Sequence, residues 1–81
     1  MDVIEREIAE IVAEVAEIDV AEMVAAGTLA DAGIDSLMAV EIAVDVERRY
    51  GLTFTEDDLK QVMSFPSLVA LTRSKLAAPA P

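Results

Sequence analysis

The sequence predicts an all-α fold, a small four-helix bundle with three longer helices and one short one, and a long loop between the first two. Three observations carry this. Apolar residues recur with the helical period over two long stretches. Start and stop signals of helices bracket those stretches and a shorter acidic one. Between the first two stretches the period is lost and Gly and Asp punctuate the chain.

The first helix spans residues 3 to 17. Ile4, Ile8, Ile11, Val12 and Val15 fall on one stripe, Glu10, Glu14 and Glu17 fall away from it, and Glu7 sits at its border. From Ile18 to Ile34 the pattern breaks at Gly27, Thr28, Asp31 and Gly33. This is long for a connection in so small a domain, and its apolar residues (Val20, Met23, Val24, Leu29, Ile34) predict that it packs across the bundle. The second helix runs from Ser36 to Tyr50, with Gly51 as its stop. Ala39, Val40, Ile42, Ala43, Val46 and Tyr50 share a broad arc, its expected core face. Leu37 and Val44 form a smaller strip at the edge of that arc, close to Glu41, Glu47 and Arg48, with Met38 and Asp45 further round. Periodicity alone leaves that strip open as a margin of the core or a surface for a partner.

Thr55 followed by Asp58 resembles a capping box, and Glu56, Asp57 and Asp58 suit the positive end of a short helix whose Leu59 and Val62 point inward. Ser64 and Pro66 then open a last helix carrying Leu68, Val69, Leu71 and Leu76, with Arg73 and Lys75 near its negative end. The bundle is expected over residues 1–76. Residues 77–81 read as an Ala/Pro tail or linker stub.

The composition restricts the function. Sixteen acids against six bases give a net charge of −10, a field that repels phosphate backbones and anionic lipid surfaces and attracts proteins with basic patches. Nucleic acid and membrane are therefore not expected partners. With no Cys and no His, the chain has neither a disulfide nor thiol chemistry of its own. Acids stand near the start, where a signal peptide carries positive charge, and no apolar run is long enough to span a bilayer, so a cytoplasmic protein is expected; a monomer is expected as well.

Self-contained catalysis is poorly supported. A nucleophilic Ser36 lacks a histidine base and a nucleophile elbow, and Glu41 with Asp45 reads as a solvated acidic face. Metal sites lack His and Cys, and neither "DAGID" nor "TEDDLK" has the spacing of a calcium loop. What remains is Ser36 as a modified residue. A helix N-terminus favours a phosphate ester, Asp35 as N-cap fixes the turn, and Gly33 lets the loop bend upstream. Local physics on its own favours reading Asp35-Ser36 as an ordinary helix start.

"GIDSLMAVEI" resembles the attachment signature of acyl carrier proteins. The resemblance extends through the long preceding loop, the Tyr50-Gly51 stop, the acidic "TEDDL" helix and the "FPSL" helix, nearly the whole chain. It implies 4′-phosphopantetheine, derived from coenzyme A, on Ser36, with Asp35 as the preceding acid. It implies partner docking through Leu37, Met38, Glu41, Val44 and Glu47. It also implies a carrier rather than an enzyme, holding acyl groups as thioesters. Its partners would be a phosphopantetheinyl transferase, a ketosynthase, an acyltransferase or other synthase enzymes with basic docking surfaces. Arg48 and Arg49 depart from the more uniformly acidic helix of bacterial fatty-acid carriers, and the Ala- and Val-rich acidic composition suits a bacterial polyketide pathway. A fatty-acid or peptidyl carrier is the nearest alternative. An acidic helical adaptor whose Ser36 is only a cap is the alternative of another class.

Overall fold

The computed structural model describes residues 1–77. Five helices follow one another: α1 (Val3–Ala16), α2 (Val20–Ala25), α3 (Ser36–Tyr50), α4 (Glu56–Lys60) and α5 (Phe65–Ala77). The expected bundle is present: α1, α3 and α5 are its long members and α4 is the short one. The difference lies in the long first connection, which contains α2. Six residues give less than two turns, and only Met23 in them is buried, so there is too little apolar repetition for a period to show. The expected tail falls mostly on residues 78–81, outside the described residues.

Helices α1, α3 and α4 begin where their capping chemistry dictates. Asp2 caps α1, with its carboxylate accepting the Glu5 N–H at 2.9 Å and Glu5 reaching back to Asp2. Asp35 caps α3 by accepting the Met38 N–H at 2.9 Å. Thr55 and Asp58 complete the reciprocal box on α4, at 3.1 and 2.8 Å. The ends of α1 and α3 are set by left-handed residues. Gly51 closes α3 at φ 66°, as the sequence predicts. Glu17 closes α1 at φ 57°, with the Ile18 N–H returning to the Ala13 carbonyl, a Schellman arrangement built without glycine.

Helix α1 is the centre of the packing and meets α2, α3 and α5. Ile8, Ala9 and Val12 from α1 pack with Ile42, Ala43 and Val46 from α3, Leu68 and Val69 from α5, and Met23, Leu29, Ile34 and Phe54 from outside the long helices. Thr72 is the buried polar residue, and its hydroxyl is satisfied by donating to the Leu68 carbonyl at 2.8 Å. One expectation for α3 is corrected. Val40 lies on the predicted core arc, yet it is 51% exposed whereas Ile42 is 1% exposed. The arc is wider than the seam α1 can cover, and Val40 is on the side where α3 borders an open groove.

Polar ties hold the outer surface. Glu7 on α1 accepts from Arg49 at 2.8 Å and from the Tyr50 hydroxyl at 3.1 Å. Burial, then this carboxylate, pushes the Tyr50 phenol above its ordinary value, while the same carboxylate raises Arg49. Arg73 on α5 pairs with Asp2 and Glu5 at the start of α1, and Lys75 pairs with Asp58 of α4 at 2.6 Å.

Candidate functional site

The long connection brings its last residues, Ile34 and Asp35, to the start of α3 through a sequence of tight turns. Gly33 occupies φ 83°, a left-handed conformation that costs glycine nothing, and the Ile34 N–H bonds back to the Leu29 carbonyl at 3.0 Å. Ile34 then turns inward and is buried, which leaves Asp35 and Ser36 at the exposed corner. Asp35 adopts extended backbone and spends one carboxylate oxygen on the Met38 N–H. Ser36 is the first helical residue. Its hydroxyl makes no hydrogen bond among the described residues, so this serine is not the cap; the aspartate before it is.

An elongated groove of about 550 Å³ opens beside Ser36. Ala39, Val40, Ile42 and Ala43 form its α3 wall, one helical stripe continuing from Ser36. Thr28, Leu29, Ala30 and Ile34 of the long connection form a second wall. Leu59 and Lys60 of α4, Val62, Met63 and Leu68 complete it. The two facing segments are tied by a backbone hydrogen bond from the Leu29 N–H to the Met63 carbonyl, at 3.0 Å. Val40 and Met63 are the exposed apolar residues of the groove, at 51% and 71%.

The expected docking residues divide into several environments. Leu37 is 70% exposed and Glu41 is also exposed. Val44 is half-buried on the same stripe, which ends at exposed Arg48. Met38 is half-buried and packs on the core. Glu47 is half-buried and already has a structural task, accepting the Phe54 N–H at 2.8 Å where the chain leaves α3. In the sequence, the α3 wall of the groove corresponds to the i, i+3, i+4, i+7 spacing of Ser36, Ala39, Val40 and Ala43, small or apolar residues on one stripe with the serine.

The arrangement fits a phosphate-linked arm. The N–H groups of Ser36 and Leu37 lie in the first turn and have no intrahelical acceptor, so they and the helix dipole face an anion attached at this corner. The adjacent groove is lined almost wholly by hydrocarbon, with Thr28, Asp35, Ser36 and Lys60 as its polar members. Among the described residues there is no group of His, Cys, Asp and Glu side chains arranged to hold a metal ion. No helix among them is long and apolar enough to cross a membrane.

Comparison with known proteins accords with this geometry. Residues 6–73 match the family described as phosphopantetheine attachment site. The chain is 41% identical over 68 residues to polyketide-8 synthase acyl carrier protein 2 of Streptomyces avermitilis, covering 83% of this chain and 78% of that protein. It is 37% identical over 70 residues to the non-reducing polyketide synthase dbaI of Emericella nidulans and, over the same length, to azaA of Aspergillus niger. Each match covers 86% of this chain, and the chain spans about 3% of either synthase. A match over most of the chain, to a family model and to a carrier of similar size, places the sequence: it belongs to the acyl carrier proteins, whose cofactor is 4′-phosphopantetheine.

Proposed function

We propose that this chain carries the arm on Ser36 and serves polyketide synthesis as an acyl carrier, without a catalytic site of its own. The single observation behind the attachment point is the corner itself: an exposed serine with an unengaged hydroxyl, at the first position of a capped helix, on the rim of an apolar groove. The polyketide pathway rests on the likeness to the Streptomyces carrier.

When bound, the arm supplies the thiol that the chain lacks and on which an acyl group rides as a thioester. Asp35 holds the turn by capping α3, which keeps Ser36 at the exposed corner. The first-turn N–H groups stabilise the negative phosphate. The groove walls exclude water from apolar parts of a cargo, and the Leu29–Met63 hydrogen bond ties the loop to the α4–α5 connection at the groove. Because the chain has no His and no Cys, a separate phosphopantetheinyl transferase supplies the base and metal for loading.

Docking to that transferase, and to a ketosynthase or acyltransferase, is assigned to the outer strip of α3. Leu37 and Val44 form its apolar centre, Met38 its flank, and Glu41 and Glu47 its acidic border, with Glu47 also holding Phe54. Charges at such a rim steer the encounter with basic surfaces and the apolar centre retains it. Glu41→Lys or Val44→Asp is expected to slow processing by partner enzymes several-fold while helicity, read by circular dichroism, is unchanged. Parent-like processing of both variants would return the strip to the core margin.

The decisive experiment is intact mass after incubation with coenzyme A and a phosphopantetheinyl transferase. The parent gains the mass of one arm and Ser36→Ala gains none. No gain in the parent, or a gain that survives in Ser36→Ala, overturns the assignment and leaves Ser36 as part of a helix start in an acidic adaptor.

A further inference from the structure

Lysine and arginine are scarce in this chain, six in all, and three of them are already committed. Arg49 is held by Glu7 at 2.8 Å, Lys75 by Asp58 at 2.6 Å, and Arg73 by Asp2 and Glu5. Lys60 differs. Its pair with Asp57 is loose, at 3.9 Å, and both side chains are largely in water. Such a contact contributes almost nothing and holds the ammonium in no fixed place. Lys60 is also the one cation lining the groove that contains Ser36, and it reaches that groove from α4 while the serine reaches it from α3. Lys60 is the last residue of a five-residue helix, and its own side chain is largely in water.

We infer that Lys60 is the positioning residue for the arm, an ammonium that pairs with the phosphodiester on Ser36. The inference rests on the proposal that Ser36 carries the arm. Loading adds a permanent negative charge one bond beyond Ser36 Oγ, at the rim that Lys60 lines. Two carboxylates compete for the ammonium. Asp57 is on its own helix and its contact is weak. Asp35 is across the groove, and one of its oxygens is engaged by the Met38 N–H. A long flexible stem on an exposed base can exchange a loose partner for a fixed phosphate without repacking anything. The Lys60 methylenes would then cover the apolar Val40 and Met63 beside it, which are otherwise wet. The pair would bias the first atoms of the arm along the groove instead of away from it.

The test uses the full-length chain, before and after loading, with loading verified by intact mass. Lysine acylation by an amine-reactive ester is followed residue by residue. Lys60 is expected to react about two- to threefold more slowly in the loaded protein, the factor an exposed ion pair supports, while Lys75 is unchanged. The protection should vanish in about 1 M salt, where the screening length falls to a few ångströms. In parallel, the phosphorus resonance of the loaded parent should shift with salt, that of Lys60→Arg should follow it, and that of Lys60→Gln should not move. Equal Lys60 reactivity in the two forms overturns the pairing. So does protection that survives salt, which would be shielding by the bulk of the arm. Absence of any mass gain is a different result: it overturns the assignment of Ser36 and this inference with it.

Discussion

Glu17 shows how a single residue can carry strain that the fold tolerates. It is the one non-glycine residue with positive φ among those described, at 57°, and it closes α1 in a position that glycine fills at the end of α3. A side chain in the left-handed region costs roughly 1–2 kcal/mol, and glycine loses roughly 0.5–1 kcal/mol through its freer unfolded state. Glu17→Gly is therefore expected to stabilise the protein by about 0.5 kcal/mol, read as a higher midpoint in urea with an unchanged slope. A lower midpoint would show that the Glu17 side chain makes a contribution beyond its backbone. The same comparison shows what the sequence could say at this scale. Gly51 and the caps Asp35 and Thr55 were legible because their chemistry is local. The Glu17 turn was not, since nothing in a glutamate announces positive φ. The burial of Val40 was misjudged for the opposite reason: its place on the arc was correct, but how much of the arc is covered depends on α1, which a helical wheel does not contain.

At the scale of elements, α4 depends on its neighbours. It has five residues, none buried, and is tied to α5 by Lys75 with Asp58 and to its own start by Thr55. Lys75, then the backbone N–H of Thr55, holds the Asp58 carboxyl below its ordinary value of 3.8, and the Glu5 N–H, then Arg73, does the same for Asp2. A depressed carboxyl contributes stability that is complete above its unfolded value and is lost as pH falls through its folded one. Stability from these two groups is thus expected to hold from neutral pH down to about 4 and to decline below it. Thermal unfolding across that range provides the check: for Asp58→Asn the acid decline should be shallower than for the parent, and parallel profiles would remove Asp58 from the account. The helices themselves were readable from sequence, because α1, α3 and α5 each have enough turns for periodicity to emerge. Helix α2 was not, because six residues with one buried side chain leave no period to detect. The groove was hidden for a related reason. Its walls come from three separate segments, and only their assembly shows that the stripe following Ser36 faces a space and not a neighbouring helix.

At the scale of the molecule the governing quantity is charge. The excess of ten negative charges is spread over a small body, and Arg49, Arg73 and Lys75 are already paired with its own carboxylates. Such a body is drawn to basic partners at long range, and the attraction weakens as the Debye length shrinks from about 10 Å at 0.1 M salt to about 3 Å at 1 M. The kcat/KM for loading by a phosphopantetheinyl transferase is expected to fall by about an order of magnitude over that interval, with the change residing in association. A salt-independent rate would mean that docking relies on apolar contact alone, and Leu37 and Val44 would then matter more than Glu41. This charge was the most direct statement the sequence made about partners, because it needs no fold to be read. The strip on α3 was legible only as an ambiguity, which the structure resolves into exposed Leu37 and Glu41, half-buried Val44 and a Glu47 already bonded to Phe54.

The Leu29–Met63 hydrogen bond joins two parts of the chain that are otherwise far apart in sequence and carries them as one lintel across the groove. The two sides of the entrance are therefore not independent shutters. On the proposed function, a cargo that lifts the long connection also has to release the carbonyl that precedes α5. The Leu29 amide hydrogen is exchangeable with solvent only while that hydrogen bond is undone, which makes it a built-in counter of how often the entrance stands open.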